Sequence, residues 1–173
     1  AIELVNINNF LSESISKVLH TLIECFILVF IVILIFLQDV RSTIIHGISV
    51  PVSIIGTFFF LYVFGYSLNL LTLFALVLAI GIVVDDAVVV VEAVHSKLEN
   101  GYTSPRKAAI DAMGEIAPAI VSITLVRASV FLPVTFLGGS SGVFYQQFGI
   151  TLAIAIIISA INALTLSPAL AAM

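Results

Sequence analysis

The feature that most constrains this chain is a long apolar stretch, residues 70–94, with two adjacent carboxylates, Asp85 and Asp86, near its middle. At about 1.5 Å of rise per residue, a helix of this length crosses the roughly 30 Å hydrocarbon core of a bilayer. The stretch holds no proline and a single glycine, Gly81, and it is far too long for one β-strand. Its length therefore favours a transmembrane helix over a buried strand that turns at the aspartates.

Two carboxylates at this depth are costly. Each ionised acid at the centre of a transmembrane helix costs roughly 2.5–3.5 kcal/mol on insertion scales. Asp85 and Asp86 also repel each other, so at least one of them should hold a proton near neutral pH. An acidic pair that gains and loses protons inside a membrane is typical of a proton relay, whereas a purely structural bundle gives no reason to keep it. We therefore predict that Asp85 and Asp86 form a proton relay.

The composition indicates an integral membrane protein. Apolar residues make up 61% of the chain and charged residues only 9%, against about 25% charged residues in an average soluble domain. Such a chain cannot cover a soluble globule with polar surface. The single cysteine, Cys25, excludes a disulfide framework and a cysteine metal site, and no basic cluster suggests nucleic acid. We expect neither a metal nor a nucleic-acid partner.

Hydropathy and turn residues predict an all-α membrane protein built as a bundle of five transmembrane helices. The predicted spans lie at about residues 18–37, 44–64, 70–94, 116–137 and 148–171. A polar lead-in, residues 1–14, precedes them. Ser104 and Pro105 begin a short surface helix at about residues 104–113. Because the chain ends inside a predicted helix, we expect it to be a piece of a longer protein.

The basic residues predict the orientation of the bundle. The loops after the first and third spans carry Arg41, Lys97, Arg106 and Lys107, whereas the loops after the second and fourth spans carry no lysine or arginine. The positive-inside rule places the basic loops in the cytoplasm. The N-terminal end should therefore lie outside, and the C-terminal end and the surface helix should lie on the cytoplasmic side.

Small residues flank both acids on the predicted third span. Ala79 and Ala75 precede Asp86 by seven and eleven residues, and Gly81 precedes Asp85 by four. Side chains at these spacings share one face of a helix, and small residues let a neighbouring helix approach closely. We therefore expect Gly81, Ala79 and Ala75 to pack against neighbouring helices and both acids to face protein.

Arg127 is the unusual residue of the fourth span, because a lone arginine at mid-span is as costly as the acids. It is a candidate relay partner that pairs with Asp85 or Asp86 across the bundle. Three alternatives stay open: the side chain snorkels, it faces a water-filled cavity, or it is an individual oddity of this sequence. Other polar residues within reach of the acids are Thr72, Ser122, Thr124, Ser129, Asn162 and Thr165.

The chain resembles the resistance–nodulation–division (RND) efflux pumps. The segment 81–92 (GIVVDDAVVVVE) resembles the fourth transmembrane helix of these pumps, and Asp85 and Asp86 match the family's proton-relay pair. The match continues through 36–43 (FLQDVRST), 131–148 (FLPVTFLGGSSGVFYQQF) and 164–170 (LTLSPAL). The doubled aspartate resembles the hydrophobe/amphiphile subfamily, because heavy-metal pumps of the family typically carry one aspartate here.

The resemblance implies a fold, an activity and partners. The chain would supply transmembrane helices two to six of a twelve-helix RND transporter domain, and residues 1–14 would be the tail of a periplasmic porter domain. The implied activity is drug/proton antiport across the bacterial inner membrane, driven by the proton motive force without a cofactor, and not an enzymatic reaction. The implied partners are the remainder of the pump chain, a homotrimer, a periplasmic adaptor protein, an outer-membrane channel, membrane lipids and amphiphilic substrates. Arg127 departs from the family pattern, in which we expect an apolar residue.

Rival functions stay open from the sequence. A protein-export or lipid/sterol-handling relative within the RND superfamily would share an acidic pair, although the match across 131–148 argues against it, and a heavy-metal efflux pump is a further alternative. An intramembrane aspartyl protease needs its aspartates on separate helices, which adjacent Asp85 and Asp86 do not provide.

Overall fold

The computed structural model describes residues 7–136, 138–139 and 142–173. These residues form five long α-helices: α1 is Ile7–Leu37, α2 is Val40–Val63, α3 is Leu70–Glu99, α4 is Pro105–Phe131 and α5 is Gly142–Ala171. A short 3-10 helix, Leu132–Phe136, follows α4. Each long helix is apolar enough to cross a membrane, and the described ranges contain no strand. The predicted all-α bundle of five transmembrane helices is confirmed.

Several helix boundaries differ from those predicted. The surface helix at 104–113 and the span at 116–137 are not separate, because α4 continues without a break from Pro105 to Phe131. Alanines in its first turns are buried where α4 packs against α3 and α5, which holds this part in line with the rest of the helix. They are Ala108, Ala109 and Ala112. α4 also ends earlier than predicted, because the chain tightens into the 3-10 helix around Pro133.

Two other helices begin at least six residues before their predicted start. α1 begins at Ile7 instead of residue 18, and α5 begins at Gly142 instead of residue 148. Both helices therefore extend beyond the apolar core from which their spans were predicted. Part of the lead-in predicted at 1–14, residues 1–6, lies outside the described residues, and the division of the chain at residue 14 stays a prediction.

Helix α3 is the centre of the bundle and packs against each of the other four long helices. Its start is fixed by a reciprocal cap: the Thr72 N–H donates to the Asn69 side-chain oxygen over 3.0 Å, and the Asn69 N–H donates to the Thr72 hydroxyl over 2.9 Å. From Leu70 onward the helix is continuous, so Asp86 lies about 24 Å along the axis from that residue. The cap therefore fixes where α3 begins, and with it the distance from that end to the acids.

Helix α5 covers α3 closely and also packs against α2 and α4. A Cβ built on Gly56 of α2 would lie 3.1 Å from Ile158 Cγ2 of α5, so α2 and α5 approach closely at this glycine. The outer side of α1, in contrast, is largely apolar and exposed, with Ile23, Leu28 and Ile35 all more than half exposed. The outer side of α1 therefore offers no polar site, and the buried polar side chains lie between the helices.

A polar cluster joins the end of α3 to the start of α4. Lys97 Nζ lies 3.0 Å from an oxygen of Asp111 and 2.5 Å from an oxygen of Glu115. The Tyr102 hydroxyl donates to Asp111 over 2.7 Å, and this hydrogen bond to the carboxylate raises the pKa of Tyr102. The cluster fixes the turn between the two helices that carry the acids and the arginine.

Candidate functional site

Asp86 lies on the buried face of α3, and only 4% of it is exposed. Both of its carboxylate oxygens have partners from other helices. Arg127 of α4 donates from Nη1 to Oδ1 over 2.9 Å, and Ser159 of α5 donates from Oγ to Oδ2 over 3.1 Å. The carboxylate therefore joins the three helices at one point.

Asp85 has different surroundings. Its side chain is 65% exposed, and among the described residues it accepts one hydrogen bond, from Arg127 Nη2 over 3.3 Å. Successive residues point about 100° apart on a helix, so one acid of an adjacent pair faces the bundle while the other faces away. Both acids were expected to face protein. Within the described part of the chain, Asp86 does so and Asp85 does not.

Arg127 lies with its guanidinium across both acids. Its two terminal nitrogens donate separately to Asp86 and Asp85, and Nη1 also lies 3.4 Å from the carbonyl oxygen of Ile82. The sequence left several arrangements of Arg127 open. In the structure, Arg127 pairs with Asp85 and Asp86 across the bundle. One guanidinium faces two carboxylates, so the ionised site carries one uncompensated negative charge. The part of Arg127 in a relay stays a prediction.

Ser159 was missed by the sequence analysis, although a signal was present. It lies midway between Ala155 and Ala163, four residues to either side, on the buried small-residue face of α5. Its hydroxyl is 3.3 Å from the carbonyl oxygen of Val83 as well as 3.1 Å from Asp86. A buried hydroxyl on such a face is well placed to meet a polar group of the adjacent helix.

The hydroxyl and amide residues named from the sequence make other contacts. Four of them donate to carbonyl oxygens of their own helix: Ser122, Thr124, Ser129 and Thr165. Thr72 caps α3, and Asn162 donates from Nδ2 to Ser53 Oγ over 2.8 Å. Among the described residues, hydrogen bonds to Asp86 come from Arg127 and Ser159.

The small residues near the acids differ in burial, as the two acids do. Ala75 and Ala79 are buried and pack in one cluster with Leu152 and Ala155 of α5. Gly81 is exposed, and a Cβ built there would meet no other atom within 4 Å. The expected helix contact at Gly81 is therefore absent among the described residues, because Gly81 shares the outward face with Asp85.

The geometry permits two states of Asp86. Burial disfavours a charged carboxylate, whereas the guanidinium and the Ser159 hydroxyl favour it. A proton on Asp86 would remove the charge that holds Arg127, and loss of the proton would restore the pair. Such a site can therefore couple the uptake of one proton to a change in how α3, α4 and α5 hold together.

Comparisons with known proteins agree with the fold and with the sequence motifs. The AcrB/AcrD/AcrF family model matches residues 3–173. The toluene efflux pump membrane transporter TtgB of Pseudomonas putida is 50% identical over 161 residues, and the multidrug export protein AcrF of Escherichia coli is 47% identical over 163 residues. These alignments cover 93% and 94% of this chain but only 15% and 16% of the relatives. The chain therefore spans about one sixth of the length of the proteins it matches.

Proposed function

Since this chain belongs to the AcrB/AcrD/AcrF family of RND efflux transporters, we propose that it carries the proton relay of a drug/proton antiporter. The observation that carries the proposal is the buried Asp86 carboxylate, held by Arg127 from α4 and Ser159 from α5. Asp85 extends the relay toward the exposed face, and Arg127 connects the two acids. Intramembrane acids with a cationic partner are typical of proton pathways.

The proposed cycle begins when a proton reaches the acids from outside. Protonation of Asp86 releases the Arg127 guanidinium, and α4 and α5 then repack against α3. A hydrogen bond to a charged group is worth about 1.5–3 kcal/mol. A proton crossing the membrane supplies about 2.3 kcal/mol per 100 mV, enough to shift a packing equilibrium roughly 50-fold. One proton therefore supplies an energy comparable to that of the hydrogen bond it breaks.

The rest of the proposal concerns the complete transporter. We place it in the bacterial inner membrane as a homotrimer, with the N-terminal end of this chain periplasmic and the C-terminal end cytoplasmic. Its proposed partners are the remainder of its own chain, a periplasmic adaptor and an outer-membrane channel. Its proposed cargo is amphiphilic small molecules, in keeping with relatives described as toluene and multidrug exporters. The proton motive force drives it without a cofactor, and it is not an enzyme.

The test is to change each acid in the full-length transporter. Asp85→Asn and Asp86→Asn are each expected to abolish efflux of a fluorescent dye from energised cells, because both acids share Arg127. Glu13→Gln, which removes an exposed carboxylate of α1, serves as the control and should pump normally. Expression and trimer formation are measured in parallel. Normal efflux by both relay variants would overturn the proposal.

A further inference from the structure

Two contacts fasten α5 to α2 on either side of Ser159. Asn162 of α5 donates from Nδ2 to Ser53 Oγ of α2 over 2.8 Å. Four residues earlier on α5, Ile158 lies against Gly56, where an added Cβ would come within 3.1 Å of Ile158 Cγ2. Three residues forward on α2 correspond to four residues backward on α5, so the helices run antiparallel and their register is fixed at this point.

The Asn162 amide is a polar group in a long apolar helix. Amide and hydroxyl side chains in membrane helices often join one helix to another, because an unsatisfied polar group in hydrocarbon is costly. Its partner Ser53 is buried, with 1% exposure. A second polar contact between α2 and α5, from Ser49 Oγ to Ser167 Oγ, is longer at 3.4 Å. In the described part of the chain, the Asn162–Ser53 hydrogen bond is therefore the main polar tie between these helices.

The Ser159 hydroxyl has one hydrogen to donate and two acceptors within reach. Asp86 Oδ2 lies at 3.1 Å and the carbonyl oxygen of Val83 at 3.3 Å. Because these distances are nearly equal, a small displacement of α5 along α3 decides which acceptor receives the hydrogen. Donation to Asp86 favours its carboxylate form, whereas donation to Val83 does not. The position of α5 therefore affects how readily Asp86 gives up a proton.

Helix α2 connects the two helices that must be aligned. It packs against α3, which carries Asp86, and against α5, which carries Ser159. Val50 of α2 lies in one apolar cluster with Ile80 and Val83 of α3. Among the described residues, the hydrogen bonds to Asp86 come from α4 and α5 and none from α2. Helix α2 can thus hold α5 in place beside α3 without a hydrogen bond of its own to the carboxylate.

We propose that Asn162 and Ser53 are positioning residues of the relay. Their hydrogen bond holds α5 at the height on α2 at which Ser159 donates to Asp86 and not to Val83. The inference rests on the proposed function, since it needs Asp86 to exchange protons. Neither Asn162 nor Ser53 takes up a proton, and both act on Asp86 through Ser159.

The first test uses Asn162→Leu in the reconstituted full-length transporter. Leucine has a similar volume but forms no hydrogen bond, and the freed Ser53 hydroxyl can donate to a carbonyl oxygen of α2, as Ser49 does. Infrared difference spectra follow the protonated-carboxyl band of Asp86 against pH, and Asp86→Asn identifies that band by its absence. The midpoint of the band should move upward by about one pH unit or more, because a hydrogen bond to the carboxylate is lost.

Two companion variants make this test specific. Thr165→Val is the matched control, because Thr165 is exposed three residues after Asn162 and its hydroxyl donates to a carbonyl oxygen of α5 itself. Its midpoint should equal that of the wild type. Ser53→Ala removes the other partner by a smaller change, should shift the midpoint as Asn162→Leu does, and decides the question should the leucine variant not assemble. The ionisable groups around Asp86 are the same in all these variants: Arg127 of α4, Asp85 of α3 and the buried His46 of α2.

The second test asks whether Asn162 acts through Ser159. Ser159→Ala alone should raise the midpoint by a similar amount, and adding Asn162→Leu to it should produce no further shift. Shifts that add would show that Asn162 acts on Asp86 by another route and would overturn the proposal. A lower free energy of unfolding in Asn162→Leu with an unchanged midpoint would assign Asn162 a packing role only, and would overturn it as well.

The two proposals fail in distinguishable ways. If Ser159→Ala moves the midpoint but Asn162→Leu and Ser53→Ala leave it unchanged, the positioning role is wrong and the relay stands. If Ser159→Ala also leaves it unchanged while the Asp86 band still titrates, the positioning role is again wrong. If the wild-type protein has no Asp86 band that titrates, the proposed function fails and the positioning role fails with it.

Discussion

The unequal surroundings of the two acids predict unequal coupling to Arg127. The Arg127–Asp86 pair has a 2.9 Å contact to a carboxylate that is 4% exposed, so its hydrogen bond to a charged group should be worth about 1.5–3 kcal/mol. The Arg127–Asp85 pair has a 3.3 Å contact to a side chain that is 65% exposed. An exposed ion pair of this kind contributes about 0.2–1 kcal/mol. The first coupling energy should therefore exceed the second by at least about 0.5 kcal/mol.

Two double-mutant cycles in the full-length transporter measure this difference. One combines Arg127→Met with Asp86→Asn, and the other combines Arg127→Met with Asp85→Asn. The free energy of unfolding of each variant is measured in mixed micelles of increasing denaturing detergent, and the cycle isolates the pairwise energy. Adding salt should weaken the Asp85 coupling more than the Asp86 coupling. Equal coupling energies, or a stronger coupling to Asp85, would refute the reasoning from burial.

Two further predictions concern packing around the relay. Ser159→Ala removes the 3.1 Å hydrogen bond to Asp86 and should lower the free energy of unfolding by about 1–2 kcal/mol and slow dye efflux; unchanged values for both would contradict the assigned contact. Gly149→Ala should destabilise the transporter by about 1–3 kcal/mol, because the new Cβ would lie 3.1 Å from the carbonyl oxygen of Phe131. Gly81→Ala is the matched control, because a Cβ there would meet open space, and it should not destabilise the transporter. If Gly81→Ala lowered the free energy of unfolding as much as Gly149→Ala, Gly81 would be packed against another helix.

The sequence was sufficient for the fold because the apolar runs are long and separated by short polar turns. Each predicted span corresponds to one helix, and the acids fall inside α3 as predicted. The boundaries were less predictable, since the first turns of α4 carry charged residues but are buried on one side, through Ala108 and Ala112, where α4 packs against α3 and α5. That burial depends on tertiary packing, which local composition does not reveal.

The relay was predictable in part. The positions of Asp85 and Asp86 follow from the sequence, but which of the two is buried depends on where α5 lies. The same dependence explains why Ser159 was missed, because a single serine on an apolar helix gives no indication of which neighbour it meets.

The central claim is that Asp86 takes up and releases a proton during transport. Infrared difference spectroscopy of the reconstituted full-length transporter tests it most directly, because a protonated carboxyl has its own C=O stretching band. As the pH is lowered, the wild-type protein should gain such a band reversibly, Asp85→Asn should retain one, and Asp86→Asn should lack the component assigned to Asp86. A spectrum of Asp86→Asn that is identical to the wild-type spectrum would contradict the account.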